Sequence, residues 1–169
     1  MTDDSRGIFV YRVRFPDGTM DVVTLVPPAM AQQSELAADA IIGVREGAQS
    51  PSEPITPENL KPNPNFVMLL HEVVGAHAPD SPGLQQAARQ RGNGRVNVVD
   101  ARTKTPAGEV PAHDVLGAFE VKDGAIVPGS YQPNERHQLF TADGLFKLEP
   151  ALQLQLMSRI VRAQRARNE

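Results

Sequence analysis

Apolar and polar residues alternate through positions 9–15, which predicts a half-buried β-strand. The tripeptide at 16–18 is Pro-Asp-Gly, a turn sequence, and the apolar run at 21–26 supplies the return strand of a hairpin. Residues 29–45 then place apolar side chains near one helical face, with Gly47 just beyond them. The pattern therefore predicts a β-hairpin followed by a helix.

A proline-rich stretch at 47–65 interrupts these periodic patterns. Proline removes a backbone donor and restricts the residue before it, so helix and sheet are both disfavoured there. We predict an extended, exposed connector, and a rigid loop packed on the domain surface is the alternative. The corresponding domain prediction is an N-terminal hairpin and helix at 1–46, a connector at 47–65 and a main α+β domain at 66–169. A single compact domain that includes 1–46 is left open.

The second half mixes helix and strand signals. Asn63 and Pro64 begin one predicted helix, and Ser81 and Gly92 bound another. Strands are predicted at 95–99 and 115–121, with Asp-Gly turns forming hairpins at 123–124 and 143–144. Hairpins with helices between and after them predict an α+β fold. Its sheet is largely antiparallel, with about four helices packed on it.

The last predicted helix, 150–167, is apolar over about half its circumference, more than the stripe of about 100° that a surface helix needs. One stripe covers the core of the chain itself and contains Leu152, Leu156, Ile160 and Ala163. The other apolar residues lie beside that stripe and beyond it, and are the interface candidates Leu154, Met157 and Val161. The helix therefore predicts self-association, most simply as a dimer. The rival interpretation is that residues 1–46 cover this surface, within the chain or by exchange with a neighbouring copy.

Composition narrows the function classes. Hydrophobic residues make up 40% and charged residues 22% of the chain, the ordinary globular range. Cysteine is absent, so disulfides, thiolate nucleophiles and zinc–sulfur sites are excluded. The N-terminus is acidic and no apolar run reaches the length of a membrane span, which predicts a cytoplasmic protein. A net charge of −3 makes nucleic acid an unlikely partner.

The segment 71–77 contains two histidines and is therefore compared with metal-binding motifs. His71 and His77 lie six residues apart in HEVVGAH, whereas the zincin HExxH motif places its histidines at i and i+4. On a helix these two side chains lie about 120° apart, which makes a shared ion on an intact helix implausible. We predict neither a metal nor a cofactor.

Two segments carry candidate ligand contacts. Asp100 and Arg102 alternate onto one side just past a predicted strand, and a loop-anchoring ion pair is the simpler explanation. The long polar loop at 127–138 is the first candidate for a ligand-contacting surface. Its candidate residues are Ser130, Tyr131, Asn134, Arg136 and His137.

Three functions remain. The leading one is a small binding or interaction protein that self-associates through its C-terminal helix, since no catalytic set is evident. The second is a small hydrolase or transferase that uses His137 or His113 as base beside Asp100, Arg102 and Tyr131. The third is a nucleic-acid binder that uses two groups of arginines, Arg89, Arg91 and Arg95 and the arginines of the last helix.

Overall fold

The computed structural model describes residues 8–31, 36–46, 54–103 and 110–167. These residues form an α+β fold with four α-helices and three antiparallel sheets, as the sequence predicts. Contacts divide the chain into two compact units, 1–69 with 156–169, and 70–155. The predicted separation at 47–65 stays a prediction. None of the helices in the described ranges combines the length and apolarity needed to cross a membrane.

The first unit is built on a four-stranded sheet in the order β1-β2-β3-β4. Strands β1 (Phe9–Phe15) and β2 (Gly18–Thr24) form the predicted hairpin. Gly18 has a φ of 142°, which glycine adopts readily, and this explains its place directly after the two-residue turn. Buried apolar side chains of β2 then face the core of this unit.

The helix predicted at 29–45 is wrong over most of its described length. A short helix, α1 (Pro28–Ala31), and a 3₁₀ turn at Ala38–Ala40 are followed by strand β3 (Ile41–Arg45). Residues 32–35 lie outside the described residues. The β-branched side chains in β3 favour a strand, and pairing with β2 overrides the helical periodicity.

The predicted connector also contains a strand. Residues 54–59 lead into β4 (Leu60–Pro62), which pairs antiparallel with β3, while 47–53 lie outside the described residues. At Gly43 an added Cβ would come within 2.5 Å of the Lys61 carbonyl oxygen. Glycine in β3 thus permits the close approach of β4.

Two helices follow as predicted. Helix α2 (Pro64–His77) begins after Asn63, whose side-chain oxygen accepts a hydrogen bond from the Asn65 amide at 3.2 Å. Helix α3 (Pro82–Arg91) begins after Ser81, whose hydroxyl accepts from the Leu84 amide at 3.3 Å. Local capping chemistry therefore sets where both helices begin.

The second unit contains the other two sheets. One consists of β5 (Gly94–Val99), β6 (Val115–Lys122), β7 (Ala125–Ile126) and β8 (Gln132–Pro133). Its strands β5, β7 and β8 each pair antiparallel with β6. The other is the small hairpin of β9 (Phe140–Thr141) and β10 (Gly144–Leu145). Both predicted hairpins are therefore confirmed, although the loop of the second is Ala142-Asp143 and Gly144 begins β10.

The C-terminal helix is α4 (Pro150–Arg167), with the predicted bounds. Its predicted core stripe is buried at Leu152, Leu156 and Ile160. The buried Gln164 side chain accepts a hydrogen bond from the Ala37 amide at 2.9 Å. Ala37 therefore contacts one side of this helix at Gln164. Farther along the helix, Leu154 is 72% exposed.

Candidate functional site

A buried carboxylate in the second unit is surrounded by the loop after β5, the start of β6 and the segment 137–147. Asp100 Oδ1 accepts hydrogen bonds from the backbone amides of Arg102 at 3.0 Å and Lys147 at 2.9 Å. Its Oδ2 lies 2.9 Å from His137 Nε2 and 3.0 Å from Arg102 Nη2. The structure thus brings together three of the candidate residues predicted from sequence, although His137 lies far along the chain from the other two.

Arg102 connects this carboxylate to its surroundings. Its Nη1 donates to the Gly144 carbonyl at 2.9 Å, and its Nη2 donates to the Gln138 carbonyl at 2.7 Å. Nη2 also lies 3.2 Å from Asp114 Oδ1, and the second oxygen of that carboxylate accepts from the Thr103 hydroxyl at 2.7 Å. One guanidinium is therefore shared by two carboxylates and by carbonyls of the 138–144 segment.

We call Asp100, Arg102, Asp114 and His137 the Asp100 cluster. Their side chains are at most 3% exposed. Charges this deeply buried are stable only when they are paired. Arg102 lies within 3.2 Å of both carboxylates, although its Nε and Asp114 Oδ1 have no hydrogen-bond partner among the described residues. The Asp100 cluster ties the loop after β5 to the start of β6 and to the segment 137–147. Its geometry is that of a buried structural crosslink, with the carboxylate of Asp100 already accepting from four donors.

A second polar contact lies around Tyr131. The Tyr131 hydroxyl is 2.7 Å from His71 Nδ1 and donates to the Leu116 carbonyl at 3.2 Å. Its ring occupies a slot that exists because two neighbouring positions are glycine. A Cβ on Gly117 would come within 2.5 Å of Tyr131, and one on Gly75 within 3.1 Å. The ring of Phe119 packs on the same tyrosine with centroids 5.1 Å apart.

Burial controls the protonation of this pair. Burial, and secondarily the charge of nearby His137, lowers the pKa of His71 to about 4. Burial also raises the pKa of Tyr131 above its ordinary value. Both side chains are therefore neutral at pH 7. A neutral imidazole with its proton on Nδ1 satisfies the whole network, since it donates to the hydroxyl that in turn donates to Leu116.

No protein-family model, curated protein or solved structure matches this chain. Among the described residues, no set of three histidine, aspartate or glutamate side chains has the geometry to hold a metal ion.

The other predicted contact residues serve the loop itself. Ser130 Oγ donates to the Val127 carbonyl at 2.7 Å and accepts from the Glu120 amide at 2.9 Å. Asn134 Nδ2 donates to the carbonyls of Ala112 and Val115 at 2.8 and 2.7 Å. These bonds fix the 127–138 loop against β6.

The two remaining candidates lie at the margin of the Asp100 cluster. Arg136 is exposed, and its amide donates to Asn134 Oδ1 at 3.1 Å. The side chain of His113 is 38% exposed, and its Nε2 lies 3.8 Å from Asp114 Oδ1. Neither side chain belongs to the Asp100 cluster.

Sequence reasoning missed two parts of this arrangement. Asp114 comes directly before β6, and its contact with Arg102 depends on long-range folding. The slot around Tyr131 is missed as well. The signal that could have revealed it is Gly117, a glycine inside an otherwise apolar strand, because such glycines often mark close packing.

The first unit contains a separate charge cluster. Arg12 forms two hydrogen bonds with Asp21 at 2.8 and 3.1 Å, and the buried Arg45 donates to the same carboxylate at 2.9 Å. The Arg12 guanidinium is the largest of the effects that lower the pKa of Asp21. An open cleft of about 240 Å³ lies beside them, with Glu46 also in its wall. Two arginines and two acidic residues balance there, so the cleft offers no net charge to a ligand.

The pKa of His71 predicts acid sensitivity. The folded protein binds this proton only near pH 4, whereas an unfolded histidine binds it near 6.5. Stability from His71 is therefore fully present above about pH 6.5 and is lost as the pH falls towards 4. We expect a loss of about 1–2 kcal/mol across that window, reduced from the full shift because the ring is partly solvent-screened.

Urea unfolding at several pH values measures this effect. His71→Gln cannot titrate and keeps a donor for Tyr131, so it should flatten the dependence between pH 6.5 and 4. His77→Gln, on the same helix, retains His71 and should keep the slope. Equal slopes in wild type and His71→Gln would contradict the assignment.

Proposed function

We propose that this chain is a non-catalytic binding protein that self-associates through the outer face of α4. The observation that carries the proposal is the exposure of Leu154, which is 72% exposed on a helix whose opposite stripe is buried. Met157 and Val161, half-buried, lie on the same side of the helix. We call these three residues the outer face.

The hydrolase or transferase alternative has one observation in its favour, the contact of His137 with Asp100 at 2.9 Å. Three features count against it. The two side chains are 3% and 0% exposed, Asp100 is saturated with donors, and the Tyr131 hydroxyl already donates to a backbone carbonyl. A catalytic base needs a substrate proton within hydrogen-bond reach, and this dyad is turned into the protein.

The nucleic-acid alternative has weaker support. Arg89 donates to Gln86 at 3.0 Å, and Arg95 donates to the Gln132 side chain. The guanidinium of Arg91 lies against Gly94, within 3.0 Å of where a Cβ would stand. These arginines are exposed but make contacts within the chain. Nucleic-acid binding through them would also leave the exposure of Leu154 on α4 unexplained.

Sedimentation equilibrium over a concentration series tests the proposal. We expect the mass to rise from the 18.3 kDa monomer towards twice that value as concentration increases. The outer face is small, so the dimer should be weak, with a dissociation constant in the micromolar range or above. Leu154→Glu should leave a monomer throughout, because burying a leucine contributes about 1.5–3 kcal/mol and each copy contributes one.

Gln155→Glu is the matched control. It places the same charge on the next residue of α4, which is exposed and about 100° away around the helix. This variant should associate like the wild type. A wild-type chain that stays monomeric at the highest concentration reached would refute the proposal, and so would a Leu154→Glu variant that still dimerises.

A further inference from the structure

We infer that the partner of the outer face is a second copy of this chain whose α4 runs antiparallel to the first. The inference rests on the proposed function and specifies its geometry. In the paired arrangement, Leu154 of each copy contacts Val161 of the other, and Met157 lies at the two-fold axis. Three features of α4 support this arrangement: the spacing of the outer face, the distribution of charge along the helix, and the symmetry of the contact.

The spacing of the outer face is that of a helix–helix seam. Positions 154, 157 and 161 follow one another at intervals of three and four residues, the a–d–a spacing of a heptad. Such a stripe packs against another helix with the same spacing. Because the seam spans one heptad, it supports a weak contact and leaves the rest of the helix surface to solvent.

Charge is distributed unevenly along α4. The half at 150–158 has no charged residue, and the half at 159–167 has four arginines and no acidic residue. Arg162 and Arg165 are exposed beside the outer face. In a parallel pair the arginines of the two copies lie side by side, within a Debye length of about 8 Å, and repel one another. In an antiparallel pair each basic half lies beside an uncharged half.

The symmetry of the contact follows from this. A two-fold axis perpendicular to the helices relates two identical patches and closes the assembly as a dimer. With the axis between residues 157 and 158, the large exposed Leu154 faces the smaller Val161 at both ends of the seam. Large and small side chains then alternate across the contact, which favours close packing.

Cysteine cross-linking distinguishes the orientations cleanly, because the natural chain has no cysteine. In the antiparallel pair, residue 154 of one copy is level with 161 of the other. Two copies of residue 154 are then separated by about 10.5 Å along the axis, beyond the reach of a disulfide. The test uses Leu154→Cys, Met157→Cys and Val161→Cys in the full chain, oxidised singly and in an equimolar mixture of the first and third.

We expect Met157→Cys to form disulfide-linked dimers by itself. The mixture of Leu154→Cys and Val161→Cys, with one of them affinity-tagged, should form the mixed dimer at least about fivefold more than either variant alone forms its own dimer. Gln86→Cys, exposed on α3, measures cross-linking by random collision.

Two outcomes overturn the inference, and they can be told apart. If Leu154→Cys and Val161→Cys each cross-link with themselves and the mixture adds nothing, the helices are parallel: the orientation is wrong and the proposed self-association stands. If all three variants cross-link no more than Gln86→Cys, the outer face does not meet a second copy, and the proposed function fails together with the inference.

Discussion

Asp100→Ala is expected to destabilise the protein by about 3–5 kcal/mol, the usual cost of removing one partner of a buried ion pair. Removal of this carboxylate takes away one of the two carboxylates that pair with Arg102 and leaves Asp114. The Arg102 side chain is only 2% exposed, so water does not replace the lost partner. The amides of Arg102 and Lys147 also lose their acceptor. Domains are stable by about 5–15 kcal/mol in total, so a large part of the folding free energy depends on this residue.

Urea unfolding followed by far-ultraviolet circular dichroism measures the change. Asp100→Asn separates the two contributions, because its amide oxygen still accepts from the backbone while its negative charge is gone. We expect Asn to recover part of the loss. Glu135→Ala removes an exposed carboxylate from a nearby loop and should change stability by less than about 0.5 kcal/mol.

A double variant tests whether the loss is electrostatic. In the double-mutant cycle, Asp100→Ala/Arg102→Met should lose less stability than the sum of the losses of Asp100→Ala and Arg102→Met, because the two side chains share one buried ion pair. A loss below about 1 kcal/mol in Asp100→Ala would contradict the structural role given to the Asp100 cluster. The enzyme alternative makes the opposite prediction for Asp100→Asn, namely loss of a reaction with little change in stability.

The elements predicted from sequence are those whose signals are local. Asn63 and Ser81 mark where α2 and α3 begin, and Asp-Gly pairs mark two hairpins, because capping and turn chemistry act over a few residues. Strand β3 was predicted as part of a helix. Its periodicity fits both structures, and pairing with β2 and β4 decides between them.

The candidate site was predictable to a similar extent. Asp100 and Arg102 lie two residues apart, so their pairing follows from the local chain. The arrival of His137 and Asp114 depends on the fold, because bonds such as the one from the Asp100 amide to the Asp114 carbonyl join distant segments. Burial could not be foreseen either, and burial is what makes this group a structural crosslink rather than a surface site.

Gly117→Ala is expected to destabilise the protein by about 1–3 kcal/mol, the usual cost of overpacking a well-packed site. A Cβ there would lie 2.5 Å from the Tyr131 ring and hydroxyl and 2.6 Å from the Gln132 carbonyl oxygen. The tyrosine cannot simply rotate away, because its hydroxyl contacts His71 and Leu116. The carbonyl belongs to β8, which pairs with the same strand, so the backbone has to move as well.

The matched control is the same substitution where space is open. At Gly83 in the first turn of α3, the nearest atom to an added Cβ is 3.8 Å away, and Gly83→Ala should stabilise the protein by about 0.5–1 kcal/mol. The two glycine-to-alanine changes are therefore expected to have opposite signs in urea unfolding. In a Tyr131→Ala background, Gly117→Ala should lower the free energy of unfolding by less than it does in the wild type. Part of the loss should remain, since the Gln132 carbonyl is still there. If Gly117→Ala left the free energy of unfolding unchanged, the tyrosine slot would relax freely. The close packing of Tyr131 would then contribute little to holding β6, β8 and α2 together.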